Sequence, residues 1–330
     1  MCDSENQIPK KSKRKNNRNV SRKKRKINHL IKKNKKKIIL NKINLLDSLK
    51  LNKKLIKMTL IQNSILMICS TFNLYFIQIN NFNLHKIKTQ KIPFPINCIF
   101  ELKNGKIIIT EKNSIIIYSS IYHLINNFNF PSQIINEHMN FINNIIEFKN
   151  ENFASSSYDG IVNFWKNDSE LFMLNYSLNN LNFKFDSIFS LKNMKMILLN
   201  ESHLIFFNLE ERKITKMIKL FYIIYSIKES NDNIIFGLSK RIIFFIDGEN
   251  EQIKLSFDLG LSFNNFALYE NKLFIVKNNE INEYIYSDMD NLKFENKITV
   301  EEIKFIDYLF VNNKYILMGS KDLSCIQIYK

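Results

Sequence analysis

The chain has 330 residues and a mass of 39.4 kDa, with 48 Lys and Arg against 31 Asp and Glu, a formal charge of +17. At 45% apolar and 13% aromatic it can bury a large core, which excludes a chain disordered from end to end. The charge is concentrated: residues 1–37 hold 16 basic and two acidic side chains (Asp3 and Glu5), net +14, which leaves residues 38–330 at net +3. A basic leader precedes a nearly neutral body.

Asn (48), Ile (53) and Lys (42) make up 143 of the 330 residues, while Ala occurs only at Ala154 and Ala267. These three types share AT-rich codons, so Asn-rich or Lys-rich content alone points to no function. Cys2, Cys69, Cys98 and Cys325 lie far apart with no C-x-x-C pair, which argues against a zinc site or a disulfide framework and predicts a reducing compartment. The N-terminus has no apolar h-region and no run of 18 apolar residues occurs, so neither a signal peptide nor a membrane span is expected.

The leader is expected to be disordered. It carries two basic clusters, Lys10, Lys11, Lys13, Arg14, Lys15 and Arg22, Lys23, Lys24, Arg25, Lys26. They resemble a two-part nuclear localisation signal, and the same side chains suit RNA phosphates. Four of the six Arg (Arg14, Arg18, Arg22, Arg25) fall in these 37 residues, a clustering that codon bias does not produce. Arg matches phosphate in a planar fork, as Lys does not. With no aromatic residue in the leader, RNA contact there would lack base stacking and be non-specific. About six contacts to single-stranded RNA would give a salt slope near −4.

From about Lys54 onward, short runs rich in Ile, Phe and Tyr alternate with Asn/Lys/Ser turns, and no long helical pattern competes. Lys106–Thr110, Ser114–Tyr118, Asn233–Gly237 and Arg241–Phe245 are examples. Such runs read as strands, so the body is all-β. The strands come in repeating groups. Aligning the end of the third run of each group gives Gln78, Tyr118, Trp165, Asn208, Ile246, Ile285 and Tyr329, spaced 38 to 47 residues apart. A period near 40–45 with several strands per repeat is the signature of β-propeller blades, and seven fit.

One repeat carries a distinctive side-chain set: His138, then Ser157, Asp159 and Trp165, with Asp159 six residues before the Trp and His138 27 before it. This pattern resembles the WD-repeat family. The resemblance implies a hydrogen-bonded chain from Trp165 through Ser157 and His138 to Asp159, pinning neighbouring elements and satisfying buried polar groups. The other repeats match by period and strand order alone. The expected architecture is a seven-bladed WD-repeat β-propeller over residues 38–330, preceded by the basic tail, residues 1–37. The last repeat ends on its third strand, so a segment from about residues 37–53, either Lys37–Lys42 or Ser48–Asn52, is expected to pair with Cys325–Tyr329 and close the ring.

His138, Ser157 and Asp159 are not read as a catalytic triad, because the Ser has no nucleophile-elbow context. His29, His85, His123 and His203 show no ligand spacing, and no phosphate-binding glycine loop occurs among six glycines, so neither a metal nor another cofactor is expected. Phe128, Phe130, Phe263 and Phe266 lie between strands and are candidates for a partner-binding rim. The resemblance implies a monomeric, non-enzymatic scaffold binding proteins of a multi-subunit complex. With the leader, it implies a nuclear or nucleolar protein or ribonucleoprotein assembly, ribosome biogenesis being the specific case. The alternative is a chromatin-associated or ubiquitin-ligase adaptor that binds protein partners without RNA.

Overall fold

Seven four-stranded antiparallel sheets make up the body of the protein in the computed structural model. The model describes residues 45–329 except 52–53, 63, 180–183, 231–233, 261–262, 264, 289–290, 301–304, 313–314 and 322–323. The leader, with both basic clusters and the segment Lys37–Lys42, lies outside the described residues.

Six sheets are built from four consecutive strands each, over 55–91 (blade 1), 96–135 (blade 2), 142–178 (blade 3), 187–219 (blade 4), 226–258 (blade 5) and 265–299 (blade 6). Blade 7 takes three strands from 308–329 and its fourth from Leu45–Lys50. The first strands of consecutive blades lie side by side around the centre. Each blade-to-blade gap is filled by its own hydrophobic cluster, seven in all among the described residues. Branched and aromatic side chains suit this role because both faces of a blade are buried against neighbours.

The seven residues aligned from the sequence occupy one structural position. Gln78, Tyr118, Trp165, Asn208, Ile246, Ile285 and Tyr329 pair with Ile65, Ile107, Phe153, Lys195, Ile235, Lys272 and Ile316, each the first residue of its blade's second strand. The repeat period is therefore a repeat of register.

The seam closes by strand pairing. Leu45 lies opposite Tyr329, Leu49 opposite Ile326 and Lys50 opposite Cys325. Asp47 reaches across to blade 1, where its Oδ2 accepts the Leu84 N–H at 2.6 Å. Leu317, Ile326 and Ile328 of blade 7 then pack on Leu66, Ile68 and Ile77 of blade 1.

Blade 2 departs from regularity. A short helix, Ile121–Asn126, capped by the Ser120 side chain, enters between its third and fourth strands, and the fourth shrinks to Gln133–Ile135. Gln133 offsets the short strand with its side-chain amide. Its Nε2 donates to Phe172 O at 2.7 Å and its Oε1 accepts from Phe172 N at 2.8 Å, extending the pairing onto blade 3.

Candidate functional site

The polar network of blade 3 is built on its second and third strands, Phe153–Ser157 and Val162–Asp168. Trp165 Nε1 donates to Ser155 Oγ at 2.9 Å. Ser155 Oγ lies 2.7 Å from His138 Nε2, and His138 Nδ1 lies 3.0 Å from Asp159 Oδ2. Directional consistency then fixes the protons: Trp165 N–H to Ser155, Ser155 O–H to His138 Nε2, and His138 Nδ1–H to Asp159. His138 and Trp165 are each 2% exposed and Ser155 is fully buried.

The serine differs from the sequence expectation: Ser155 carries the chain, and Ser157 does not. Phe153 lies opposite Trp165 and Ser155 opposite Asn163, so Ser155 is the diagonal neighbour of the indole on the same face. Ser157 sits four residues from Phe153 along the strand, about 13 Å away, at the turn. There its Oγ donates to Asn140 O at 3.0 Å and accepts Asp159 N at 3.2 Å. Asp159 also accepts Met139 N on Oδ2 and Ile161 N on Oδ1, so it ties the incoming loop to the turn. Gly160 supplies the positive φ (+85°) that completes this turn.

Among the described residues the relay through this position belongs to blade 3, for a steric and chemical reason. The residues at Ser155's position elsewhere are Met67, Ile109, Ile197, Gly237, Phe274 and Met318, and none has a side chain that can relay a hydrogen bond. In blade 5 a Cβ on Gly237 would meet Ile246 and Ile224 side chains at 3.2 and 3.3 Å, so that position is closed by packing. The other blades satisfy this register with hydrophobic contact instead.

Burial lowers the pKa of His138, although its contacts with Asp159 act the other way. The folded chain thus resists protonation at a site that the unfolded chain protonates near its ordinary value of 6.5. This stability is present above that pH and is lost as pH falls below it. Burial would raise the Asp159 carboxyl, but hydrogen bonds from Met139 N, Ile161 N and His138 hold it below its ordinary value, so further stability is lost as pH falls through that lower pKa. Denaturation from about pH 7.5 to about pH 5 should show the wild type weakening more steeply than His138→Gln. Equal slopes would show that His138 is not the acid-sensitive group.

A second set of polar contacts escaped the sequence reading. Glu101, Glu147 and Glu229, each the last residue of a blade's first strand, accept the backbone N–H of Gln62, Lys103 and Lys192 at 2.9, 3.0 and 3.0 Å. Each carboxylate thereby latches onto the first turn of the preceding blade. The repeated Glu-x-Lys-Asn at Glu101 and Glu147 was the available signal.

The surface that can meet a partner is the face carrying the interblade loops and the turns between second and third strands. Five blades tie these together in one way. The N–H of Leu51, Ile92, Leu220, Leu259 and Val300, leaving the fourth strand, donates to the carbonyl of Ser324, Phe72, Ser202, Arg241 and Asn279 at 2.7–3.0 Å. Phe72, Phe94 and the run Phe221–Ile223 stand exposed on loops and turns held in this way, and Met139, Phe141 and Tyr158 stand exposed where Tyr158 N donates to Phe141 O and Met139 N to Asp159 Oδ2. Met139 is 89% and Phe221 94% exposed. Lys112 Nζ lies 3.9 Å from the Phe94 ring centroid on this face.

Of the candidate rim residues, Phe130 is exposed, Phe128 packs on the blade 1–blade 2 cluster, and Phe263 and Phe266 are buried between blades 5 and 6. Those last two are core, a correction to the expectation. Among the described residues no group of three or more His, Cys, Asp or Glu is placed to hold a metal, and no helix is long and apolar enough to cross a membrane.

The backbone superposes on those of solved propellers. The fold is that of a seven-bladed WD-repeat propeller. A chain of a mitotic checkpoint complex superposes with TM-score 0.71 at 8% identity, covering 89% of this chain and 94% of that one. The β-propeller domain of Cps50 (Swd1) from Myceliophteria thermophila gives 0.68 at 9% identity, with 87% and 99% covered. The WD40 propeller domain of Doa1 gives 0.66 at 14% identity, with 88% and 97% covered. No protein-family model matches the sequence, and no curated protein matches it. At these identities the likeness is one of fold.

Proposed function

We propose that this WD-repeat propeller is a scaffold that docks proteins of a nuclear protein or ribonucleoprotein complex on its loop face, with ribosome biogenesis as the specific setting. The observation that carries the docking reading is the row of exposed Phe, Tyr and Met on loops whose backbones are fixed by hydrogen bonds. Contiguous exposed apolar side chains on a rigid surface favour macromolecular partners, and aromatic and Met residues are enriched at such interfaces. The structural neighbour within a mitotic checkpoint complex shows the same fold used inside an assembly. The nuclear and RNA parts of the proposal rest on the leader, whose Arg-bearing clusters run Lys10–Lys15 and Arg22–Lys26.

Affinity capture separates these parts. Intact protein should concentrate in the nucleus and recover both proteins and RNA. A variant lacking residues 1–37 should lose nuclear accumulation and RNA but keep its protein partners. Phe221→Asp combined with Met139→Glu, both at exposed positions, should keep the fold and lose the protein partners. A cytoplasmic protein that recovers no RNA would remove the ribonucleoprotein setting, and partners surviving nuclease would then favour the adaptor alternative. Partners indifferent to the Phe221 and Met139 changes would remove the loop face as the docking surface.

A further inference from the structure

The centre of the ring holds a feature that neither the blade network nor the loop face uses. The first strands of blades 1, 5, 6 and 7 line a cavity of about 500 Å³, within the range that holds small molecules. Leu60, Glu229, Leu268 and Val311 stand at or next to the ends of their strands, so the cavity lies toward the end of the channel opposite the loop face. Leu60, Ala267, Leu268, Leu309, Phe310 and Val311 supply its apolar side chains, and Lys228, Glu229 and Asn312 its polar ones.

Lys228 is the cation of that wall. Its Nζ donates to Phe266 O at 2.7 Å and lies 5.2 Å from the Phe266 ring centroid. Among the described residues no carboxylate pairs with it. An ammonium has three donors, so two remain for a ligand. Desolvation lowers its pKa to about 8, as befits a half-buried cation without a counter-charge among the described residues. Glu229, the other ionisable residue of the lining, is committed elsewhere, since its Oε2 accepts the Lys192 N–H of blade 4. Burial raises the Glu229 pKa.

We propose that this end of the central channel binds a monocarboxylate with an apolar body, its carboxylate on Lys228 and its body against the Leu60, Leu268, Phe310 and Val311 wall. A single cation with two open donors matches a carboxylate. Phosphates and polyanions call for several donors, usually with Arg, and the lining has none. The apolar side chains at Leu60, Leu268, Phe310 and Val311 favour an acid whose body is hydrocarbon, since burying polar groups against them costs free energy.

The carboxylate can come from a free acid or from the end of a peptide chain, and calorimetry on the full chain at pH 7 distinguishes them. The probes are octanoate, octanol and octylammonium, with the tripeptide acetyl-Leu-Leu-Phe as free acid and as amide. At least one free-acid probe should bind one to one. Its neutral analogue should bind at least about tenfold more weakly, and octylammonium should not bind. Octanoate binding alone assigns the site to small acids, and peptide-acid binding alone assigns it to chain ends. Lys228→Met should weaken binding at least about tenfold, as should Lys228→Gln, and Val311→Trp should block the cavity with the charge intact. Raising the pH from about 7 to about 9.5 should weaken binding more than about tenfold as the ammonium is lost. Circular dichroism and melting confirm that each variant is folded. Failure of both free acids, or equal binding by wild type and folded Lys228→Met, would overturn the proposal. Partner capture on the loop face is a separate readout, so its failure and this one are distinguishable.

Discussion

Replacing His138 with Ala is expected to destabilise the propeller by about 3–5 kcal/mol. The imidazole is buried and bridges Ser155 Oγ and Asp159 Oδ2, so its removal strands the Ser155 hydroxyl proton, leaves Asp159 Oδ2 with Met139 N alone and opens a void in the blade. Each buried polar group left without a partner costs about 1–3 kcal/mol. Ser155→Ala strands the indole N–H and leaves His138 Nε2 with only the longer contact to Asn163 Nδ2 at 3.4 Å, and should cost about 2–4 kcal/mol. Ser157→Ala removes contacts to Asn140 O and Asp159 N near the surface turn, and should cost about 1 kcal/mol. Urea denaturation gives the order directly. If Ser157→Ala were as damaging as Ser155→Ala, the relay through Ser155 would be wrong. A double-mutant cycle of Ser155→Ala with Trp165→Phe should show coupling of about 1 kcal/mol, since the two changes remove one shared hydrogen bond.

The contrast between the two serines shows where sequence spacing runs out. Distance along the chain from Asp159 and Trp165 picks out the right blade, because four chemically distinct partners seldom coincide. It does not choose among Ser155, Ser156 and Ser157, which stand in a row. Strand alternation puts Ser155 and Ser157 on one face, and only the register, Ser155 opposite Asn163, sets which of them reaches the indole. The repeat itself was legible because a propeller repeats register: the aligned positions from Gln78 to Tyr329 all fall opposite the start of a second strand. The missing motif residues in six blades hid the cause but not the period, since Met67 or Ile197 keeps a strand in place without any polar relay.

Other features depend on contacts between distant residues and leave little local trace. Phe263 and Phe266 look like loop aromatics in sequence, yet Phe266 stands on the first strand of blade 6 and both are buried between blades 5 and 6. Phe221, Tyr222 and Ile223 form an apolar run that reads as strand-like, yet they leave the sheet and face solvent. Lys228 is one of 42 lysines by sequence, and only the convergence of four first strands makes it a half-buried cation of the channel wall. The body's near-neutral charge was the useful signal there, because it removed a basic surface as the explanation for individual lysines.

Deleting residues 1–51 is expected to leave the ring without a stable folded monomer at 25 °C. The deletion strips the Cys325–Tyr329 strand of its partner and removes the Asp47 bridge to Leu84 N of blade 1, together with Leu49 and Leu51 from the seam cluster. Losing several ladder hydrogen bonds at about 0.5–1.5 kcal/mol each, plus two part-buried leucines at about 1.5–3 kcal/mol each, amounts to about 5–10 kcal/mol. That is comparable with the whole stability of an ordinary domain, about 5–15 kcal/mol. The exposed edge would also invite pairing between copies, so the deleted chain should run as aggregates by size exclusion. Deleting residues 1–37 is the control, because it removes most of the positive charge and leaves Leu45–Lys50 in place. A peptide spanning residues 42–54, added in trans, should restore a monomeric, cooperatively melting propeller by supplying the missing strand. A chain lacking residues 1–51 that melts like the wild type would show that the seam is held by the blade 7–blade 1 cluster alone, with the strand an accessory to it.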